Sequence, residues 1–289
     1  MSHAGHNHHS SLNAAFWLTA VFAVVELVGG LMANSLALLA DAGHMVSDVA
    51  ALGLAMLANH IANRPAHAQM SYGYGRAKVL AAQLSGFMLW LLSAWIVWEA
   101  IGRLSQPPTV QGGMVMLIAA IGLMINLIIM RWLHGSHDLN TRAAYWHVLG
   151  DALGSVAAII AGGVIVLTGW MPIDPLLSFL VAGILAWGGW RLLRETTLEL
   201  MEALPQEIDI ERIESAMKKN TGIVNIHHIH LWRLPNTQLA VSAHVQIEDM
   251  SHWPDILLAL RDTLQKHHIE HITLQPEFHC CEHDNTHCS

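Results

Sequence analysis

The chain has 289 residues, 53% of them hydrophobic and 12% charged, with a mean hydropathy of +0.40; this balance excludes an ordinary soluble domain and points to a membrane. Its formal net charge of −8, with His counted neutral, excludes nucleic acid as a partner, because phosphate binding needs a basic surface. The more telling figure is 21 His, since neutral imidazole is the commonest metal ligand.

Residues 1–12, "MSHAGHNHHSSL", form a His-rich flexible segment that gathers or buffers metal. It lacks the basic n-region of a signal peptide, so it is kept in the mature protein and expected in the cytoplasm. Residues 13–200 carry six apolar segments, at about 14–34, 36–59, 79–102, 112–133, 144–169 and 174–195. Each is close to the ~20 residues a helix needs to cross ~30 Å of hydrocarbon. Arg64, Arg76 and Lys78 follow the second segment, Arg131 and Arg142 the fourth, and Arg191 and Arg194 close the sixth. The odd-numbered connections hold only Arg103, so the positive-inside rule places both termini in the cytoplasm. Trp132 and Trp170 near segment ends suit interfacial anchoring. The glycines of "ELVGG" and "LIAAIG" suit close helix packing.

Residues 201–279 change character and read as a cytoplasmic α+β domain. Helical "DIERIESAMKKN" precedes strands "IVNIHHIHLWRL" and "QLAVSAHVQIE"; helix "PDILLALRDTLQKHH" and strand "HITLQPEF" complete an α-β-β-α-β order of ferredoxin-like type. The fold class is therefore a six-helix polytopic membrane protein with a small α+β domain at its C-terminal side. Residues 280–289 form a Cys/His-rich tail holding all three cysteines, Cys280, Cys281 and Cys288. Such placement cannot supply a disulfide framework, and points to metal binding or disorder.

On the second segment Asp41, His44 and Asp48 are spaced by three and four residues, so a helix aligns them on one stripe. The fifth segment repeats the device in "HVLGD", with His147 and Asp151 four apart. Two helices, each offering an imidazole and a carboxylate one turn apart, can close four ligands around a cation, which suits Zn²⁺. Ionisable groups at this depth are costly and mark function. Metal binding needs deprotonated ligands, so a site alternating between protons and Zn²⁺ is a natural exchanger. Asp41 orients a ligand or belongs to a water-filled mouth. Glu26 and Asn126 are read as bonding across helices or lining a wet cavity. In the soluble domain, strand alternation puts His228 and His230 on one face and His227 on the other, with His244 on the next strand opposite one of them.

The motifs "LADAGHMVSD", "YGYGRAK", "HVLGDALGS" and "HHIHLW" together resemble the cation diffusion facilitator family, in its bacterial zinc-exporter branch, over about residues 14–278. The resemblance implies a homodimer in the bacterial inner membrane that exchanges cytoplasmic Zn²⁺ for H⁺. By motif, it makes His44, Asp48, His147 and Asp151 the transport site; a His at the first position is associated in the family with zinc over cadmium. It also matches His230 and His244 to cytoplasmic zinc ligands, with Glu277 as their partner, and Arg76 with Glu202 to an interlocking ion pair. Further candidates are Asp41, His67, His228, His252, His271 and the tail cysteines Cys280, Cys281 and Cys288, with His60 read as capping a helix end. The rival reading is a His-rich membrane enzyme using non-haem di-iron, which would gather His at the cytosolic helix ends rather than inside the apolar segments; a metal sensor merely anchored by its helices is a third.

Overall fold

The computed structural model describes residues 5–133, 139–204, 208–234 and 238–278, with the side chains of 5–16, 133, 139–144, 146 and 147 outside the description. Six long helices come first: α1 (Gly5–Ala33), α2 (Leu36–Ala62), α3 (Ala77–Ser105), α4 (Gly112–Leu133), α5 (Leu139–Thr168) and α6 (Ile173–Leu200). Then follow α7 (Ile210–Lys218), β1 (Ile223–Arg233), β2 (Leu239–Ile247), α8 (Trp253–Lys266) and β3 (Ile269–Glu277), the α-β-β-α-β order expected from the hydrophobic pattern. By internal contacts the chain divides into two units, Met1–Met56 with Ala81–Leu193 and Leu57–Leu80 with Arg194–Ser289.

In the first unit, α2 to α6 each hold a stretch long and apolar enough to cross a membrane, while α1 offers the shorter apolar run Trp17–Ala33. This is a multi-pass membrane protein. Its large apolar side chains face outward, with Trp98 78% and Leu167 85% exposed, the reverse of a water-soluble bundle. Without a hydrophobic drive in lipid, the helices associate through close packing. Gly29 lies against Ile118 and Gly122 against the Phe22 ring, neither with room for a Cβ, which joins α1 to α4. Gly112 and Gly162 bring the backbones of α4 and α5 together, and Gly86 and Gly189 do the same for α3 and α6. Phe22, Val115, Ile118, Ala158 and Ile165 fill the space between α1, α4 and α5, joined by Leu38 and Met45 of α2.

In the second unit, β1 pairs antiparallel with β2 and β2 parallel with β3, in the order β1-β2-β3. Asp209 starts α7 by accepting from the amides of Glu211 and Arg212 at 3.1 and 3.2 Å, satisfying two of the helix's free donors. Pro254 opens α8, where its missing N–H costs nothing. Both helices are amphipathic and bury Ile213, Met217, Ile256, Leu260 and Leu264 against Ile226, Val241, Ala243 and Val245 of the sheet. Each such side chain contributes roughly 1.5–3 kcal/mol. Arg76 and Glu202 form the expected ion pair, at 2.5 Å with both side chains partly exposed.

Candidate metal centres

The apolar run of α2 forms a helix through the membrane unit, and its 3.6-residue period sets Asp41, His44 and Asp48 on one side. His44 Nε2 lies 3.7 Å from Asp48 Oδ2, one turn on. Asp151, on α5, is buried. Asp41, His44 and Asp151 line one cavity of about 440 Å³, which Gly150 and Gly154 of α5 and Leu180 of α6 help to close. Asp41 faces α5, since its Oδ1 is 4.0 Å from where a Cβ on Gly154 would stand. Two helices and three ionisable groups therefore meet at one apolar-walled space. His147 stands one turn before Asp151 on α5, but its side chain is outside the described residues. Glu26 of α1 is also buried, with Oε2 making no hydrogen bond, and its carboxylate is within electrostatic reach of Asp41 and Asp151. It belongs with this polar centre more closely than the sequence pattern indicated.

A second cluster forms on the sheet, and here the expected strand alternation fails. His227 pairs with His244 of β2, yet the next pair is His230 with Ser242, so His228 and Ile229 oppose the single residue Ala243. This is a β-bulge. His228 takes φ +49°, a left-handed conformation that His tolerates better than most residues. The extra residue turns His227 and His228 the same way. Ring centroids of His227, His228 and His244 lie 5.1–5.4 Å apart, and one nitrogen from each falls within 4.8 Å of the others.

Glu277, at the end of β3, completes the set. Its Oε1 is 2.8 Å from His244 Nδ1 and its Oε2 is 3.2 Å from His227 Nε2, with His227 and Glu277 almost fully covered. Nδ1 of His227 and of His228 are buried without a hydrogen bond, which costs about 1–3 kcal/mol each unless a partner binds there. Three imidazoles and one carboxylate at this spacing fit a tetrahedral Zn²⁺. His230, matched by motif to a ligand, is exposed and lies outside the cluster; the bulge shifts the strand's phase and puts His227 in its place. The signal for His227 was the doublet "HH" inside a strand, which a bulge alone can turn to one side.

The remaining candidates have other surroundings. His67 Nε2 is 2.7 Å from the Tyr74 hydroxyl and its Nδ1 accepts from the Gln69 amide, so it organises a turn in the α2–α3 connection. His252 is 70% exposed on its side chain and pairs with Asp249 at 3.4 Å. His271 is exposed and meets the Tyr72 ring edge-on. Among the described residues, the group of three at His227, His228 and His244 is the one cluster of that size. Cys280, Cys281 and Cys288 lie outside the described residues, as does His3; His6, His8 and His9 fall in the first turns of α1 rather than in the expected flexible segment, with their side chains outside the description.

The family model for the cation efflux transmembrane domain matches residues 12–201, and that for the cytoplasmic domain of cation efflux proteins matches 205–279. The zinc transporter ZitB of Pectobacterium atrosepticum is 42% identical, over 100% of this chain and 91% of its own. ZitB of Escherichia coli is 43% identical over 94% and 88%. The cadmium, cobalt and zinc/H(+)-K(+) antiporter of Bacillus subtilis is 37% identical over 97% and 94%. The solved metal-bound C-terminal domain of the CzcD transporter from Cuprividus metallidurans is 26% identical over 25% of this chain and 100% of its own, with a TM-score of 0.23.

Proposed function

The chain belongs to the cation efflux family, whose members are transporters rather than enzymes, and from that premise we propose that it exports Zn²⁺ from the cytoplasm in exchange for H⁺. The di-iron enzyme reading is set aside by that membership. Zinc is held by His44 and Asp48 of α2 with His147 and Asp151 of α5. The observation that carries the reading is the meeting of α2 and α5 at one cavity, with His44, Asp41 and buried Asp151 on its wall. A carboxylate at membrane depth needs a proton or a cation beside it. Zinc entering the four ligands displaces their protons; after the cavity changes sides, zinc leaves and protons return. Relatives named for zinc transport and for antiport with protons support the cargo and the coupling.

His227, His228, His244 and Glu277 would hold a further Zn²⁺ in the cytoplasmic domain, where the metal would supply a cross-link between β1, β2 and β3. The protein works as a homodimer in a bacterial inner membrane with its termini in the cytoplasm, a reading supported by the distribution of Arg and Lys and by the match to a cytoplasmic efflux-protein domain. The test is zinc flux into proteoliposomes carrying a pH-sensitive dye. An imposed proton gradient accelerates zinc flux if the reading holds; indifference of that flux to the gradient removes proton exchange from it.

A further inference from the structure

Apart from Asp41, His44 and Asp151, the cavity of about 440 Å³ between α2, α5 and α6 is walled by apolar residues alone. Its volume falls in the range of pockets that hold small organic molecules. Part of that wall belongs to the outside of the helix bundle. Leu153 of α5 with Leu180 and Ile184 of α6 line the cavity and are each more than half exposed, whereas Leu38 of α2 and Leu185 of α6 line it and are buried. A cavity with both kinds of residue in its wall opens sideways, between α5 and α6. The opening lies at the depth of the bilayer's hydrocarbon. Ile184 is eleven residues from the start of α6, about 16 Å along a helix rising ~1.5 Å per residue, near the middle of a ~30 Å core. Leu153 lies within the apolar stretch Val148–Thr168 of α5.

Water, a helix or a hydrocarbon chain could stand in such a mouth, and the side chains around it discriminate among them. Ordered water needs two to four polar partners, which this wall offers only beside Asp41, His44 and Asp151. Where helices of this unit meet closely a glycine has removed the Cβ, as at Gly86 with Gly189 and Gly112 with Gly162. The rim here carries branched Leu153, Leu180 and Ile184 instead, which hold another helix off. Between those side chains the α5 wall is bare: a Cβ on Gly150 would meet nothing within 4 Å, and one on Gly154 only the Asp41 carboxylate at 4.0 Å. A bulky rim around a bare wall admits something thinner than a helix, flexible and without polar atoms. Left empty, the slot would forfeit the dispersion contacts of its lining.

We infer that an acyl chain of a bilayer phospholipid enters between α5 and α6 and forms the outer wall of the cavity that holds zinc, an inference that rests on the transport reading above. The chain confines water to the neighbourhood of Asp41, His44 and Asp151, where zinc and protons exchange, and closes the side of the site that the six helices leave open. Recognition is by width and by the absence of polar atoms on the rim, so the site takes the hydrocarbon of any phospholipid and selects no headgroup.

The test uses the full chain made with photo-leucine, a leucine analogue of nearly the same shape that carries a diazirine, in vesicles of phosphatidylethanolamine and phosphatidylglycerol. Irradiation joins each leucine to whatever lies beside it, and mass spectrometry of the peptides identifies the partner. Leu38 and Leu185, buried in the cavity wall, are expected to carry phospholipid, as is Leu167, which is 85% exposed; Leu36, buried but off the cavity, is expected to carry none. Phospholipid on Leu167 with none on Leu38 or Leu185 overturns the inference, as does equal labelling of Leu36 and Leu38. Joining of Leu153 or Leu180 to a peptide of a second copy overturns it too, by showing that protein closes the mouth. Ala157→Trp puts an indole into the cavity from α5 and is expected to remove the Leu38 adduct while Leu167 keeps its own; an undiminished Leu38 adduct overturns the inference. Absence of zinc flux in the same vesicles contradicts the transport reading instead, since the adducts form without zinc.

Discussion

Replacing His227 by Ala separates the bulged geometry from the alternation a regular strand would have. His227 is one of four ligands in the proposed cytoplasmic centre, with its Nε2 3.2 Å from Glu277 and its ring 5.4 Å from that of His244. Four-ligand structural zinc sites bind with roughly 10–16 kcal/mol at neutral pH. Shared among four ligands, that is about 2.5–4 kcal/mol each, so the loss of one weakens binding by roughly a hundredfold or more. His230→Ala removes an exposed ring that touches none of the cluster and leaves affinity unchanged. The assay is zinc competition with a fluorescent chelator on the purified full chain, each variant carrying Asp151→Asn to weaken the intramembrane site. A hundredfold loss in His230→Ala together with none in His227→Ala refutes the bulge as the maker of this site.

His228 at φ +49° gives a prediction for stability. His228→Val places a β-branched residue in the left-handed region and lowers the unfolding free energy of the cytoplasmic domain by about 1–3 kcal/mol. His228→Gly relieves the conformation and weakens zinc binding without that loss; thermal unfolding with and without zinc reads both. A pH effect follows from Asp249, whose carboxylate accepts from the Ser251 hydroxyl at 2.6 Å and the Ser251 amide at 2.9 Å. Those bonds hold its carboxyl below the usual range. A lowered carboxylate stabilises the fold above its unfolded value and stops doing so as pH falls through its folded value. Asp249→Ala is therefore less stable than the parent at neutral pH, and the two converge in acid; a constant gap in melting temperature across pH contradicts this.

The helical stripe of Asp41, His44 and Asp48 was legible in the sequence because its polar residues repeat with the period of a helix against an apolar background. The same logic gave the apolar segments and the α-β-β-α-β order, where amphipathic α7 and α8 differ in period from the strands. What failed on β1 was the period itself. A single left-handed residue shifted the phase, so the alternation that normally identifies a strand's two faces set His227 apart from His228, while His230 was matched by the family motif alone. Contacts between distant segments were equally hidden: Ser35 and Asp174 are 139 residues apart, and nothing in either segment marks the other as its partner. For Glu26 the sequence points to a bond across helices or a wet cavity, but nothing on α1 shows that the groups near it are Asp41 and Asp151.

The central claim is that the meeting of α2 and α5 is the transport site, and one comparison tests it most directly. Zinc uptake and the accompanying pH change are followed in the same proteoliposomes for the parent and for Asp151→Asn, which keeps the side chain's shape and removes its charge. The account predicts that the parent moves zinc and protons in opposite directions and that Asp151→Asn moves neither. Zinc flux in Asp151→Asn at the parent's rate would contradict it.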